Sequence, residues 1–208
     1  LSQLEKQGVR FSRIPCHADG TLIVEAMEGL LEENTRLVMM LHASNVCGTI
    51  LPLREVGDFC RRHGLRFFVD SAQTAGILPI DMAALHIDAL AFTGHKGLLG
   101  PQGTGGFVLS PELVGELEPL LSGGTGSISH TEEVPAFMPD RFEAGTPNLP
   151  GILGLRASLL WLKETGTEKI FAHEQRLTEQ FLQGLAALSN VQLFGRSDLQ
   201  DRTGVVSL

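Results

Sequence analysis

The sequence predicts an α/β fold: a mostly parallel sheet with helices on both faces. Three observations predict it. Short apolar runs, at 37–41 (LVMML), 65–69 (LRFFV) and 89–92 (ALAF), alternate with helix-like segments from residue 9 to residue 121. The first run is continuous rather than alternating, which is the pattern of a strand covered on both faces. Polar residues lie just past each run, at Asn45, Asp70 and Lys96. In parallel sheets ligands bind beyond the carboxyl ends of the strands. Three polar residues at one edge are a stronger signal than any one of them.

Each element has a local reason. Residues 1–7 read as the end of a helix that Gly8 stops. Residues 9–15 read as a strand, followed by the turn Ala18-Asp19-Gly20. Ile23, Met27, Leu30 and Leu31 have helical spacing. The strand at 37–41 ends in His42-Ala43-Ser44-Asn45. Pro52 opens a helix that places Leu53, Val56 and Cys60 on one face and stops at Gly64. The next strand, 65–69, ends at Asp70. Asp81 caps a short helix over 81–85. The strand at 89–92 stops at Thr93-Gly94-His95-Lys96; a glycine-rich loop and a short strand at 107–109 follow. Ser110 and Pro111 are a cap and first residue for a helix carrying Leu113, Val114 and Leu117. Residues 122–148 lack periodicity, and loops of that length are usually functional or mobile. Residues 149–163 are apolar almost all round, as in a buried helix, with Pro150 in its first turn. Gly166 ends it. Thr167 caps a second helix striped by Ile170, Leu177, Phe181, Leu185 and Leu188. Residues 191–194 and 204–208 read as two strands that start a second, smaller α/β unit.

Composition narrows the function. With 43% hydrophobic and 19% charged residues, 208 residues can bury a substantial core. The net charge of −8 argues against non-specific binding to nucleic acid or to anionic membranes. No apolar run is long enough to span a bilayer, and the charged start lacks a signal core, so the cytoplasm is the expected location. Cys16, Cys47 and Cys60 show neither CxxC nor metal-ligand spacing, which fits separate thiols in a reducing compartment. The chain does not begin with methionine and ends inside the apolar run 204–208, so it is expected to be a fragment.

The chemistry concentrates around Lys96. A lysine beside Thr93 and His95, followed directly by Gly97, is held at a strand end with no bulky neighbour after it. Desolvation lets such an amine lose its proton and attack an aldehyde. Taken singly, each residue has a plainer reading. Lys96 is then a solvated loop lysine, His95 fills space, Asp70 is a cap or turn residue, and Arg141 with Glu143 is a salt bridge that holds a loop. Asp70, Gln73 and Lys96 together favour chemistry. The glycines after Lys96 are not a GxxxxGK[ST] phosphate loop, because the lysine precedes them, and GxGxxG is absent. His17, His42, His63, His86, His130 and His173 have no ligand spacing, and no metal site is expected. Cys47 sits where a small apolar residue would serve, and Cys60 reads as core.

Four stretches in order, HASNVCGT, VDSAQTAG, FTGHKGLLGPQGTGG and RFEAGTPNLPG, resemble the class V group of fold-type I pyridoxal-phosphate enzymes, nearest to cysteine desulfurases and selenocysteine lyases. The resemblance covers the whole chain. It implies pyridoxal 5'-phosphate as cofactor, with residues 1–148 as part of the large cofactor-binding domain. Residues 149–208 would be an interdomain helix and the start of a small C-terminal domain. Lys96 would carry the cofactor as a Schiff base and later shuttle protons at the substrate Cα. Asp70 would face the pyridine nitrogen and Gln73 the phenolate oxygen. Thr93 and His95 would bind the phosphate, and Asn45 would sit near the phenolate oxygen or the substrate carboxylate. Thr146 would reach the phosphate of a neighbouring subunit, which implies a homodimer with a shared active site.

The implied reaction converts L-cysteine to L-alanine and passes sulfur to a persulfide, and the resemblance also implies a sulfur-acceptor protein as a partner. Other class V aminotransferases, epimerases or lyases acting on an amino acid are the alternative, and so is a non-catalytic fragment or scaffold. Three residues separate Lys96 from Gly100, one more than the commonest desulfurase pattern HKxxGPxG. By the same resemblance the ring-stacking histidine and a phosphate-binding helix start lie upstream of residue 1, as does an inner strand of the sheet. The cysteine nucleophile and the substrate-binding arginine lie downstream of Leu208. The 208-residue chain alone is therefore expected not to desulfurate cysteine.

Overall fold

The computed structural model describes residues 2–128 and 133–208. Four strands form one sheet in the order β1 (Leu37–Leu41), β2 (Arg66–Asp70), β3 (Ala89–Thr93), β4 (Gly105–Leu109). β1, β2 and β3 run parallel, and β4 returns antiparallel to β3. The helical segment between β1 and β2 supplies the crossover that a parallel pair requires. β3 and β4 are joined by a glycine-rich loop over residues 94–104, and the two strands pack closely. Gly106 stands opposite Phe92, and a β-carbon there would lie 2.9 Å from the Phe92 ring.

The register levels the carboxyl ends of the strands. Leu41 pairs with Asp70, and Asp70 pairs with Ala91. Side chains alternate across the pleat, so Val38, Met40, Phe67, Val69 and Leu90 point to one face. A short helix, α1 (Ser2–Glu5), comes first in the chain, and helix α2 (Leu53–His63) covers that face. Its Leu53, Val56, Phe59 and Cys60 pack with Met27, Met40, Phe67, Val69 and Ile87 into the core. Gly57 allows this approach, since a β-carbon there would collide with the Leu85 carbonyl. Gly64 ends α2 at φ 63°, the left-handed conformation in which its N–H reaches back to the last carbonyls.

At the amino edge, Asp88 substitutes for backbone pairing. One carboxylate oxygen accepts from the Phe67 amide at 2.8 Å and the other from Arg66, also at 2.8 Å. Arg66 also reaches Glu116.

Several sequence expectations are corrected. Residues 9–15 form no strand. The segment carries Arg10 and Arg13, is largely exposed, and only Cys16 pairs, in a single antiparallel bridge with Leu22. The helical spacing at 23–31 produces a 3-10 helix, Val24–Leu30, and residues 81–85 form turns in which Asp81 accepts from the Ala84 amide at 3.0 Å. β1 is covered on one face only: Leu37, Met39 and Leu41 are exposed, because nothing among the described residues packs on that side. Helix α3 (Pro111–Val114) is capped by Ser110 as expected. α4 (Leu149–Thr165) is not buried. It hides Gly151 and Leu162 but exposes Leu153, Leu160 and Trp161, among others. After α5 (Thr167–Ala186), the two expected strands reduce to one antiparallel bridge, Phe194 with Ser207.

That last stretch is instead fastened to the loop after β1. Thr49 bridges Arg202, and the Thr203 amide donates to the Gly48 carbonyl at 2.8 Å. Arg202 is fully buried, and its guanidinium donates to the carbonyls of Arg196, Thr203 and Val205.

Asp88→Ala should cost about 2 kcal/mol, since it leaves the buried Phe67 amide unpaired. Urea unfolding measures it. A loss under about 0.5 kcal/mol, the range of an ordinary surface change, would refute a pairing role for Asp88.

Candidate active site

Three loops leave the levelled ends of β1, β2 and β3, and they hold the polar residues marked in the sequence. The loop after β1 folds back on itself: Ala43 bridges Ile50, and the Ser44 amide donates to the Thr49 carbonyl at 2.9 Å. Asn45 and Val46 are exposed at its tip. The Ser44 hydroxyl accepts from the Val46 and Cys47 amides at 3.2 Å each, which shapes that tip.

Asp70 is the last residue of β2 and is exposed. Its carboxylate accepts from the Ala72 amide at 2.8 Å, which turns the chain. Residues 71–78 then coil through successive short turns, with Gln73 half-buried on the way. After β3, Thr93 is followed by exposed His95 and Lys96. The Leu99 amide donates to the Lys96 carbonyl at 2.8 Å, and Leu99 takes φ 56°. The loop after Lys96 thus contains a left-handed turn that few leucines adopt.

The second and third loops touch through glycine. Gly76 has φ 85°, and a β-carbon on it would lie 2.7 Å from the Gly97 carbonyl carbon. A β-carbon on Gly97 would lie 2.6 Å from the Ala75 carbonyl oxygen. Only two residues without side chains pack this closely, and the contact holds the 71–78 turns against the loop that carries His95 and Lys96.

The site residues therefore divide. Asn45, Asp70, Gln73, Thr93, His95 and Lys96 all lie at the carboxyl edge of the parallel strands. Thr146 does not join them by position in the sheet. It is exposed on the 122–148 loop, which Gly145 ties down through its amide to the Gly124 carbonyl, 2.8 Å away. Two residues on, the Asn148 side chain caps α4 by accepting from the Gly151 amide at 3.1 Å. Arg141 does not pair with Glu143. It donates to the Leu117 carbonyl at 2.9 Å and meets Glu118 at 3.5 Å. His130 lies outside the described residues.

The arrangement fits an anionic, planar ligand held covalently by a lysine. The Thr93 hydroxyl oxygen is buried and has no hydrogen-bond partner among the described residues, although a buried polar atom ordinarily has one. Thr93 is the last residue of β3, directly before Gly94 and His95, where a phosphate oxygen would complete its hydroxyl. Gly97 follows Lys96 and leaves its backbone unobstructed by a side chain.

A cleft of about 670 Å³ opens beside Gln73, walled by Ile77, by Glu174, Leu177 and Phe181 of α5, and by 203–206. Burial pushes the Glu174 carboxyl above its usual range. A smaller hollow near Leu31, Arg36 and His63 lies at the opposite, amino edge of the strands and holds none of these residues. Among the described residues no His, Cys, Asp or Glu cluster could hold a metal, and no helix is long and apolar enough to cross a membrane.

The cysteines differ. Burial pushes the Cys60 thiol up to about 12, so it stays an inert core thiol. Cys47 is half-buried. Burial works to raise its thiol, but hydrogen bonds with Ser44 and Thr49 hold it below the ordinary value.

Sequence reasoning gave His42 no role beyond its lack of ligand spacing and did not single out Ser71 or Thr74; each is under a tenth exposed in this tightly turned region. The available signal was a polar residue at a position the fold must bury, which periodicity does not report.

The sequence matches the family described as "Aminotransferase class-V" over residues 1–208, and the chain belongs to that family. It is 34% identical to a protein named "Probable cysteine desulfurase" from Methanothermobacter thermautotrophicus over 207 residues, covering 99% of this chain and 51% of that protein. It is 38% identical to a "Cysteine desulfurase" of Salmonella newport, covering 98% of this chain and 50% of that protein. The fold superposes on an apo cysteine desulfurase from Thermococcus onnurineus NA1 with a TM-score of 0.88 at 34% identity, covering 99% of this chain and 52% of that one. The chain thus spans about half the length of the curated relatives it matches.

His42 links stability to pH. Burial pulls its imidazole down from 6.5 to about 4, so the unfolded chain binds the proton more readily than the folded one between those values. Stability is full above pH 6.5 and falls as pH drops toward 4, by up to about 3 kcal/mol from this group. Urea unfolding of the wild type and His42→Gln across this range should show a steeper acid loss in the wild type; equal slopes would refute it.

Proposed function

We propose that this chain forms the cofactor-binding core of a pyridoxal-phosphate-dependent cysteine desulfurase. The whole protein would convert L-cysteine to L-alanine and deliver the sulfur as a persulfide to an acceptor protein. One observation carries the reading. The sheet register and the Gly76–Gly97 contact gather Asp70, Gln73, Thr93, His95 and Lys96 at one edge, with the orphaned Thr93 hydroxyl among them. The desulfurase relatives and the shared fold support the same assignment.

When bound, pyridoxal phosphate supplies an electron sink for the pair left on the substrate Cα after its proton departs. The chain's own residues do the rest. Lys96 holds the cofactor covalently, and its amine, once freed, holds and moves the Cα proton. Its exposed position leaves room for a substrate to reach it. Asp70 keeps the ring nitrogen protonated by giving it a charge partner, and the Ala72 amide orients that carboxylate. Gln73 donates to the phenolate oxygen. Thr93 and His95 hold the phosphate, and Asn45 lies near the phenolate oxygen or the substrate carboxylate.

Thr146 completes the phosphate site of a second copy, which makes the protein a homodimer with shared sites. Its exposure and its lack of a hydrogen bond among the described residues are consistent with a partner elsewhere.

Lys96→Ala should abolish cofactor attachment that borohydride can fix, while leaving the circular dichroism spectrum unchanged, since the side chain is exposed and packs little. A fixed adduct in that variant would remove Lys96 from this role. Mixing Lys96→Ala with Thr146→Ala subunits should restore some cofactor binding, because one site of the mixed dimer then carries neither defect. No recovery in a mixture shown to exchange subunits would count against the shared site.

A further inference from the structure

We propose that His42 is a positioning residue: its hydrogen bond to Thr74 holds the turn that presents Asp70 and Gln73 in register with the loop carrying Asn45. The inference rests on the pyridoxal phosphate reading above and adds to it a residue that touches neither cofactor nor substrate.

His42 is the first residue beyond β1 and is 7% exposed. Its backbone is fixed on both sides. The amide donates to the Asp70 carbonyl at 2.8 Å, and its carbonyl accepts from the Leu51 amide at 2.8 Å. Its ring nitrogen Nδ1 lies 2.8 Å from the Thr74 hydroxyl oxygen. Thr74 is fully buried and is the hub of its turn. Its amide donates to the Ser71 carbonyl at 2.9 Å, and its own carbonyl accepts from the Ile77 and Leu78 amides, each at 2.9 Å. Ser71, also fully buried, donates through its hydroxyl to the Ala91 carbonyl of β3 at 2.8 Å.

The turn therefore has two buried side-chain anchors, Ser71 toward β3 and Thr74 toward β1. Gln73 lies between them, and Asp70 immediately precedes the first. Swinging Gln73 away requires breaking the His42–Thr74 bond where water does not replace it. Gly76, two residues past Thr74, is the residue that meets Gly97 beside Lys96. One bond thus steadies the loop of Asn45, the turn of Asp70 and Gln73, and the contact to the lysine loop. Neutral imidazole has one donor and one acceptor nitrogen, and burial keeps His42 neutral near pH 7, so its part is geometric and not that of an exposed acid or base.

The test compares the wild type, Thr74→Val and Thr74→Ser, each titrated with pyridoxal phosphate. Valine keeps the shape of threonine without the hydroxyl; serine keeps the hydroxyl. Thr74→Val removes the bond to His42 and the longer one, 3.4 Å, that the hydroxyl donates to the Ser71 carbonyl; it should weaken cofactor retention about tenfold and shift the absorbance of the lysine-bound cofactor. Thr74→Ser should restore both. A folded Thr74→Val with wild-type affinity and absorbance overturns the inference.

Should Thr74→Val fail to fold, isotope-labelled histidine in the wild type decides. Loading the cofactor should move the ring-nitrogen resonances of His42, assigned against His42→Gln; resonances that stay in place while Lys96 becomes modified overturn it. A wild type that takes no borohydride-fixed cofactor on Lys96 sinks the pyridoxal reading itself, and the inference with it.

Discussion

The approach of Gly76 to Gly97 is the contact on which the site depends. Two loops from neighbouring parallel strands pass so close that a methyl group on either glycine would strike backbone. Loops at a sheet edge are ordinarily free to diverge. Here the absence of two side chains lets van der Waals contact between main chains fix their separation where Gly76 meets Gly97. Gly76 contributes a second constraint, because its φ of 85° is one that a side chain would strain.

The contact works only because the sheet beneath it is level. β1, β2 and β3 end at the same height since Leu41 pairs with Asp70 and Asp70 with Ala91. A slip of one residue would send every side chain to the opposite face. The apolar set Val38, Met40, Phe67 and Val69 under α2 opposes such a slip, and the Asp88 carboxylate, bonded to the Phe67 amide, pins β2 at its other end. Core packing thus reaches the site through register. The exposed faces of β1 and α4 take no part in this; they are apolar surfaces that this chain by itself leaves open.

Much of the site was legible without coordinates. Glycines beside a lysine, a carboxylate at a strand end and a glutamine three residues later are chemical statements written in residue type and spacing. Strand β1 and helix α2 were equally legible, because a run such as LVMML and a Pro52-to-Gly64 frame carry their own boundaries. The strand expected at 9–15 was not, since β structure needs a partner and the sequence does not say whether one is present. The apolar helix at 149–165 misled for a related reason: periodicity tells that a face is apolar, not what covers it.

The sequence by itself determined the α/β class and the list of polar residues at the strand ends, Lys96 among them, because each depends on local order along the chain. Only the tertiary structure decided how closely the loops carrying those residues approach, and that Thr146 stands apart, exposed on its own loop. It alone showed the buried His42–Thr74 bond, which joins residues 32 apart, and the docking of Arg202 against the loop of Thr49. Hydrogen bonds and close contacts between distant segments depend on how the strands pair and which faces they bury. That information lies in the three-dimensional packing of the whole chain and not in any one stretch of it.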